Sequence, residues 1–196
     1  MFKVTQSNQK LGTICAVNVP AIKTCRADAP CKKLCYANKG NFRYTQVMNC
    51  YENNLQTFLS NPFQAETDIV KQLPKEGFCR VHASGDFVNM EYFKMMIRIA
   101  KMCKGVKFMA FTKKYELVNQ YIASGGIIPK NFKVIYSGWV GLEMVNPYNM
   151  PTAFVELKKE GDSRIKKTAI PCSEKCDTCY ACWKIKKGQQ VLFHQH

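Results

Sequence analysis

The sequence lacks an apolar run of about 18 residues, the length that a membrane-spanning helix requires. Its opening residues, Met1 to Gln6, also lack the apolar core of a secretory signal. The first absence argues against an integral membrane protein, and the second argues against a secreted one. We therefore expect a cytoplasmic protein with reduced thiols and no membrane partner.

Acidic residues are scarce: 14 stand against 29 lysines and arginines, which gives a formal charge of +15. A lysine-rich, soluble surface explains this charge as well as a polyanionic partner does, the simplest such partner being a nucleic acid. No single arm or helix face collects the basic residues, so nucleic-acid binding stays an open alternative. They occur as scattered pairs: Lys32-Lys33, Lys113-Lys114, Lys158-Lys159, Lys166-Lys167 and Lys186-Lys187.

Cysteine, in contrast, is abundant, with 11 residues of which seven lie in two tight groups. An odd number without a signal peptide is not typical of a secreted disulfide framework, and close groups of reduced thiols favour metal binding. The other four stand alone and are expected to be small core residues: Cys15, Cys50, Cys79 and Cys103.

The first cysteine group consists of Cys25, Cys31 and Cys35, at C-x5-C-x3-C spacing. It occupies a loop over 20–40, after a predicted strand at 13–19 and before a predicted helix that starts near Asn41. Three thiolates in such a loop can hold a [4Fe-4S] cluster and leave its fourth iron open to a ligand.

The second cysteine group consists of Cys172, Cys176, Cys179 and Cys182, at C-x3-C-x2-C-x2-C spacing. Structural zinc sites usually use two C-x2-C pairs separated by a dozen or more residues, and this run has no such separation. The compact spacing therefore favours a second [4Fe-4S] cluster, with zinc and redox-active thiols as the alternatives.

Between the two groups, predicted strands and helices alternate. Strands are predicted at 78–83, 106–111 and 132–137 in addition to 13–19, with one or two more in 150–170; helices are predicted from Asn41, Pro62, Asn89 and Tyr115. This alternation predicts an α/β fold: an open, partial (βα) barrel of about four to six mostly parallel strands, with right-handed crossovers. We expect a barrel domain over 1–168 and a cysteine-rich segment over 169–196 packed on it.

Polar residues follow each predicted strand. Because the carboxyl ends of parallel strands share one edge of a sheet, we expect these residues to meet there and form a site. They are the cysteine loop, Ser84-Gly85-Asp86, Thr112-Lys113 and Ser137-Gly138.

The first loop resembles the cluster loop of radical S-adenosylmethionine (SAM) enzymes. Those enzymes use C-x3-C-x2-C spacing and place an aromatic residue before the third cysteine, whereas here Tyr36 follows the third cysteine. The whole chain is more similar to a phage-associated family, the gene product 88 type of radical-SAM-like iron–sulfur proteins. The residues that carry this resemblance are Ser7-Asn8, Lys10-Leu11-Gly12, Cys25, Cys31, Cys35-Tyr36-Ala37, Lys39-Gly40, Phe42-Arg43, the run from Arg80 to Phe87, Cys179, Cys182-Trp183 and His194.

This resemblance implies two [4Fe-4S] clusters, with SAM on the open iron of the first and the second auxiliary. It implies that Ser84, Gly85 and Asp86 hold the SAM amino group, that Ser137 lies near its ribose or methionine, and that Tyr36 packs on its adenine. Simpler roles remain open: Asp86 as a helix cap, Ser137 as a turn residue, Tyr36 as a cover for the cluster. His82 is expected to be a core residue.

The function implied is radical chemistry on an unknown substrate, with reduction by an electron donor protein, in the cytoplasm of a host cell if the chain is phage-encoded. The alternatives are a non-catalytic iron–sulfur or zinc module that binds nucleic acid, and a plain electron carrier. A carrier needs no open iron, so the three-cysteine loop favours the enzyme over the carrier unless Cys15, Cys50 or Cys79 supplies a fourth ligand.

Overall fold

The structure is a computed structural model that describes residues 1–6, 9–157 and 161–194. The expected turn at Ser7-Asn8 and the basic pair Lys158-Lys159 lie outside these ranges. Eight strands in the described ranges form one open sheet, in the order β1-β2-β3-β4-β5-β6-β8-β7. They are β1 Val4–Gln6, β2 Cys15–Val17, β3 Gly77–Val81, β4 Val106–Thr112, β5 Phe132–Ser137, β6 Thr152–Glu156, β7 Ile170–Pro171 and β8 Gln190–His194.

Every neighbouring pair of strands is parallel except β1 with β2. The fold is thus mixed α/β with a mostly parallel sheet, which confirms the predicted class, although the strand count exceeds the four to six expected. The extra strands come from the expected lead-in, which supplies β1, and from the cysteine-rich segment, which supplies β7 and β8. The division expected at residue 168 therefore falls inside one continuous sheet.

The helices are α1 Thr45–Ser60, α2 Pro62–Gln72, α3 Met90–Met102, α4 Tyr115–Ala123, and the short α5 Cys176–Cys179 and α6 Ala181–Lys184. Local sequence sets their starts: the side chain of Asn61 accepts from Gln64 N, and that of Asn89 accepts from Tyr92 N. Helix α1 starts later than predicted, because short 3₁₀ turns occupy the chain up to Arg43. In the described ranges, no helix combines the length and apolarity needed to cross a bilayer.

The two faces of the sheet are covered differently. On the helix face, alternate strand residues such as Val81, Phe108 and Val134 pack against α1 to α4 in the larger core. On the opposite face, which we call the cysteine face, Met109 and Ile135 pack against Trp183 and Ile185 of the C-terminal segment. Because strand side chains alternate between faces, Cys79 enters the helix-face core while its neighbour Phe78 packs on the cysteine face.

Candidate metal and cofactor site

The first cysteine group lies in the connection between β2 and α1, where three 3₁₀ turns follow one another: Pro30–Leu34, Tyr36–Asn38 and Gly40–Arg43. Cys25, Cys31 and Cys35 are each partly buried and none forms a disulfide. From Pro30 to Asn49 no residue is fully buried. The loop is therefore fixed at its base and open along its outer side.

The base of the loop is fixed by the turn that follows β3. Gly85 has φ +84°, and a Cβ there would lie 2.6 Å from Val19 Cγ2 and 2.7 Å from Thr24 Oγ1. The Thr24 hydroxyl accepts from Asp86 N at 3.1 Å and donates to Pro20 O at 2.7 Å. Only glycine suits this position, because both the backbone conformation and the close approach exclude a side chain.

Asn18, at the carboxyl end of β2, connects the same turn to α1. Its Oδ1 accepts from Ala83 N at 2.8 Å and Ser84 N at 3.0 Å, and its Nδ2 donates to Thr5 Oγ1 at 2.8 Å and Tyr51 OH at 3.3 Å. Sequence reasoning missed this residue. The available signal was a polar amide inside the predicted buried strand at 13–19, where burial requires partners.

Asp86 ties the ends of β3 and β4 together. Its Oδ1 accepts from Phe87 N at 2.7 Å and Thr112 Oγ1 at 2.6 Å, and its Oδ2 accepts from Lys113 N at 2.9 Å. Burial raises the pKa of this carboxyl, and the three donors oppose that rise. The alternative role of Asp86 as a helix cap is wrong, because Asn89 caps α3. The predicted contact between Asp86 and SAM stays a prediction. The three hydrogen-bond donors to its carboxylate described above all belong to the protein itself.

The expected meeting of the strand ends at one edge is confirmed. Tyr36 OH donates to Ala83 O at 2.7 Å, while its ring is 54% exposed. Lys113 Nζ donates to Ser137 Oγ at 2.8 Å. Ser84 is buried, so the turn contributes its backbone to this edge more than the Ser84 side chain.

The thiols of the first cysteine group lie close enough to influence one another. Burial raises the pKa of Cys25 to about 11, with further contributions from the Asp86 carboxylate and from Cys35 and Cys31. Burial also raises the pKa of Cys35, where the nearby Lys113 ammonium acts in the opposite direction. Raised pKa values keep the Cys25 and Cys35 thiols protonated at neutral pH, so a bound metal has to displace those protons.

His82 is buried, as predicted, but it is not the fully satisfied core histidine that was expected, because its Nδ1 finds no hydrogen-bond partner among the described residues. Its Nε2 lies 3.3 Å from Tyr92 OH, and burial lowers the pKa of the imidazole to about 3. Its backbone has φ +66°, which turns the chain from β3 into the glycine turn. The ring is therefore neutral, and it is the backbone of His82 that shapes the turn.

The isolated cysteines lie apart from the first group. Cys79 is fully buried in the helix-face core, and Cys15, its register partner on β2, packs against the same core. Cys103 also packs there, while Cys50 is partly buried on α1. The expectation of core cysteines is confirmed for Cys79, and the other three are partly buried.

The second cysteine group lies over the cysteine face. Cys172 N donates to Leu192 O of β8 at 2.8 Å, and Cys176 N donates to Lys10 O at 2.9 Å. Trp183 is buried and donates from Nε1 to Cys79 O at 3.2 Å. A small cleft collects the four thiols and their neighbours: Pro171, Cys172, Ser173, Cys176, Cys179, Tyr180, Ala181, Cys182, Trp183 and Val191.

Arg80 stands between the two cysteine groups, and sequence reasoning missed its role. Its Nε donates to His82 O at 3.1 Å, and its guanidinium lies 4.5 Å from the ring centroid of Phe111 on the cysteine face. Burial raises the pKa of Cys182 to about 12, and the Arg80 charge acts against that rise, as it does at Cys176. The same charge acts on Tyr36 of the first loop.

A family model described as Gene product 88 matches residues 2–185. The chain belongs to the gene product 88 family. The match spans both cysteine groups and seven of the eight described strands, so it covers the region in which the site residues of this gene product 88 protein meet. No curated protein and no solved structure matches the chain.

Across the described ranges, no three side chains of histidine, cysteine, aspartate or glutamate are placed to share one metal ion. The cysteines of both groups are partly buried and free of disulfides.

Proposed function

We propose that this gene product 88 protein is a radical-SAM-like iron–sulfur protein of the host-cell cytoplasm, with an open sheet that serves as a partial barrel. Cys25, Cys31 and Cys35 would hold a [4Fe-4S] cluster with one iron open to SAM. The second cysteine group would hold an auxiliary [4Fe-4S] cluster.

The observation that carries this proposal is the position of the first loop. It leaves β2 at the carboxyl edge of the parallel sheet, and the turn after the next strand packs directly onto it through Gly85. In open parallel sheets, ligands bind at this edge. A three-thiol loop and a cofactor would thus share the place where such folds take their ligands.

The donor set suits an iron–sulfur cluster. Cys25, Cys31 and Cys35 lie in one loop and form no disulfides, and a cubane held by three thiolates keeps one iron open. Of the three isolated cysteines that could supply a fourth ligand, Cys15 and Cys79 pack against the helix-face core, and Cys50 lies partly buried on α1. This favours an open iron at the first site.

The chain's own residues would orient and shield the bound groups. When bound, the first cluster and SAM supply one-electron chemistry that side chains alone cannot provide, with electrons from a donor protein. Asp86 and Asn18 hold the loop and the turn in place, as their hydrogen bonds do here. Tyr36 offers a half-exposed ring for adenine, and Lys113 places an ammonium beside Ser137 and Cys35.

The test is an anaerobic preparation in which metal, sulfide and SAM binding are measured together. We expect roughly eight irons per chain if both sites hold cubanes. SAM should bind in equilibrium dialysis and be cleaved on reduction, and both should be lost in C35A but kept in C50A, which removes an isolated cysteine. One zinc and no iron, or full iron without SAM binding, would remove the proposal.

A further inference from the structure

The segment from Pro30 to Asn49, which we call the exposed segment, exposes large side chains without burying any residue fully. Tyr44 is 62% exposed, Tyr36 54%, and Leu34 and Met48 50% each. Apolar and aromatic residues packed this densely on a surface usually contact a partner. Tyr44 and Met48 lie at the start of α1, beyond the last cysteine of the loop.

The exposed segment is also uniformly basic. It carries Lys32, Lys33, Lys39 and Arg43, and no carboxylate occurs between Asp28 and Glu52. The whole chain has the same sign, with a formal charge of +15. A negatively charged partner therefore meets attraction both locally and at long range.

The exposed segment has a defined shape. Its 3₁₀ turns are closed by backbone hydrogen bonds, such as Lys39 N to Tyr36 O at 3.1 Å. The rings of Tyr36 and Phe42 meet edge to face at 5.8 Å, and Tyr36 OH is bound to Ala83 O. Tyr44 has extended backbone angles at the N-cap of α1, which fixes where its ring leaves the chain. The aromatic and basic side chains are thus presented on an ordered support.

We propose that the exposed segment binds single-stranded nucleic acid, with bases stacked on Tyr44 and phosphates contacted by Lys33, Lys39 and Arg43. Proteins that bind single strands combine aromatic platforms with a basic track along the backbone, and both occur here within one segment. An acidic protein would satisfy the charge, but it gives no particular reason for exposed tyrosine rings between the cations. Stacking on bases uses both features.

The experiment is fluorescence anisotropy of the full-length protein, purified anaerobically, with labelled oligo-dT and oligo-rU. Y44A should weaken binding about 5- to 150-fold, the loss of one stacked base, whereas Y44F keeps the ring and should bind like the parent. The double variant K33A/K39A should lower the slope of log affinity against log salt by about 1.4, for two lost phosphate contacts.

The controls remove the same chemistry from other surfaces. F63A deletes a ring that is 78% exposed on α2, and K94A/K101A removes two exposed charges from α3, so the net charge equals that of K33A/K39A. These controls should bind like the parent, and all variants should melt at the parent's temperature. Absence of oligonucleotide binding by the parent, equal losses in controls and segment variants, or tighter binding of poly-glutamate than of oligonucleotide would each overturn the proposal. Because no iron is needed for the readout, it is independent of the iron–sulfur proposal.

Discussion

The two cysteine groups are held in place by opposite means. The first is fixed from below by buried polar groups, Asn18, Thr24 and Asp86, while its outer side stays open. The second is fixed by apolar anchors, Trp183 and Ile185, which bury the cysteine face beneath it. The thiols of both groups are nevertheless only partly buried. The two groups therefore differ in how they are anchored and not in how far their thiols are covered.

The charges around the two groups differ as well. The Asp86 carboxylate lies near Cys25 and raises the pKa of that thiol, whereas the Arg80 guanidinium lies near Cys176 and Cys182 and acts to lower theirs. Burial nevertheless raises the pKa of thiols in both groups, that of Cys25 to about 11 and that of Cys182 to about 12, so the groups differ in the charges beside them and not in the direction of the shift. Net charge is one of the factors that set cluster potentials, so the two sites should differ in potential.

The contrast between the two cysteine groups would disappear if both held one shared metal centre. Cysteine substitution tests this. C35A should lose about four of about eight irons and keep the second cluster's spectrum, and C182A should do the reverse, because each cubane has its own ligands. Iron analysis with Mössbauer spectroscopy makes the measurement. If either variant, still folded, lost both signals, the two groups would share a centre.

Removing the apolar anchor should reveal how the second group is held. W183A deletes a buried ring and its hydrogen bond to Cys79 O, so the free energy of unfolding should fall by about 3–5 kcal/mol. Denaturant unfolding measures this. W139A, which removes a half-buried tryptophan, is the control and should cost less. Equal losses of unfolding free energy in W183A and W139A would show that Trp183 is no stronger an anchor than the half-buried Trp139.

Removing the polar base should act on the first group instead. N18A leaves Ala83 N and Ser84 N without their acceptor, which should cost about 1–3 kcal/mol of unfolding free energy. Iron should be lost at the first site before the second, as followed by chelator challenge. N38A removes an exposed amide from the same loop and should change neither quantity. Iron lost first from the second site would contradict this division of roles.

The smallest expected effect concerns His82. Its carbonyl accepts a hydrogen bond from Arg80, which lies near the second group, and its backbone shapes the turn that supports the first group. Its pKa is lowered to about 3 in the folded protein, so only the unfolded chain takes up a proton near pH 6. Stability from this group is thus present above about pH 6.5 and is lost as pH falls, by about 1 kcal/mol between pH 6.5 and 5.5.

Paired variants isolate this contribution. H82N tolerates the positive φ and cannot titrate, so its stability should lack that part of the pH dependence, whereas H194N, which changes an exposed histidine, should keep it. Denaturant unfolding at the two pH values decides the matter. If the unfolding free energy of H82N depended on pH as that of the parent does, the imidazole would take up its proton as readily in the folded protein as in the unfolded chain.

Local sequence signals predicted most of the frame. Pro62 and Asn89 marked helix starts, and apolar runs marked β3, β4 and β5, because these signals act within a few residues. The cysteine spacing likewise marked both groups. What failed was non-local: β8 is a tail segment that forms a strand only by pairing between β6 and β7.

In the candidate site, too, local signals were predicted from the sequence and non-local contacts were missed. The strand ends could be expected to meet, but Thr112 and Lys113, which bind the Asp86 carboxylate, lie 26 and 27 residues away, at the end of β4 and just after it. Nothing near Asp86 in the sequence indicates these partners. Arg80 looked like an ordinary strand residue until the C-terminal segment was seen to cover its face of the sheet. Such roles come from tertiary packing.

The far edge of the sheet has a consequence for solubility. Open sheets present unpaired backbone groups at their edges, which invite another chain to add a strand. Here that edge is β7, only two residues long, and one of them, Pro171, has no amide hydrogen to donate. An incoming strand would find almost no ladder to extend, so this edge helps to keep the protein from assembling edge to edge with its copies.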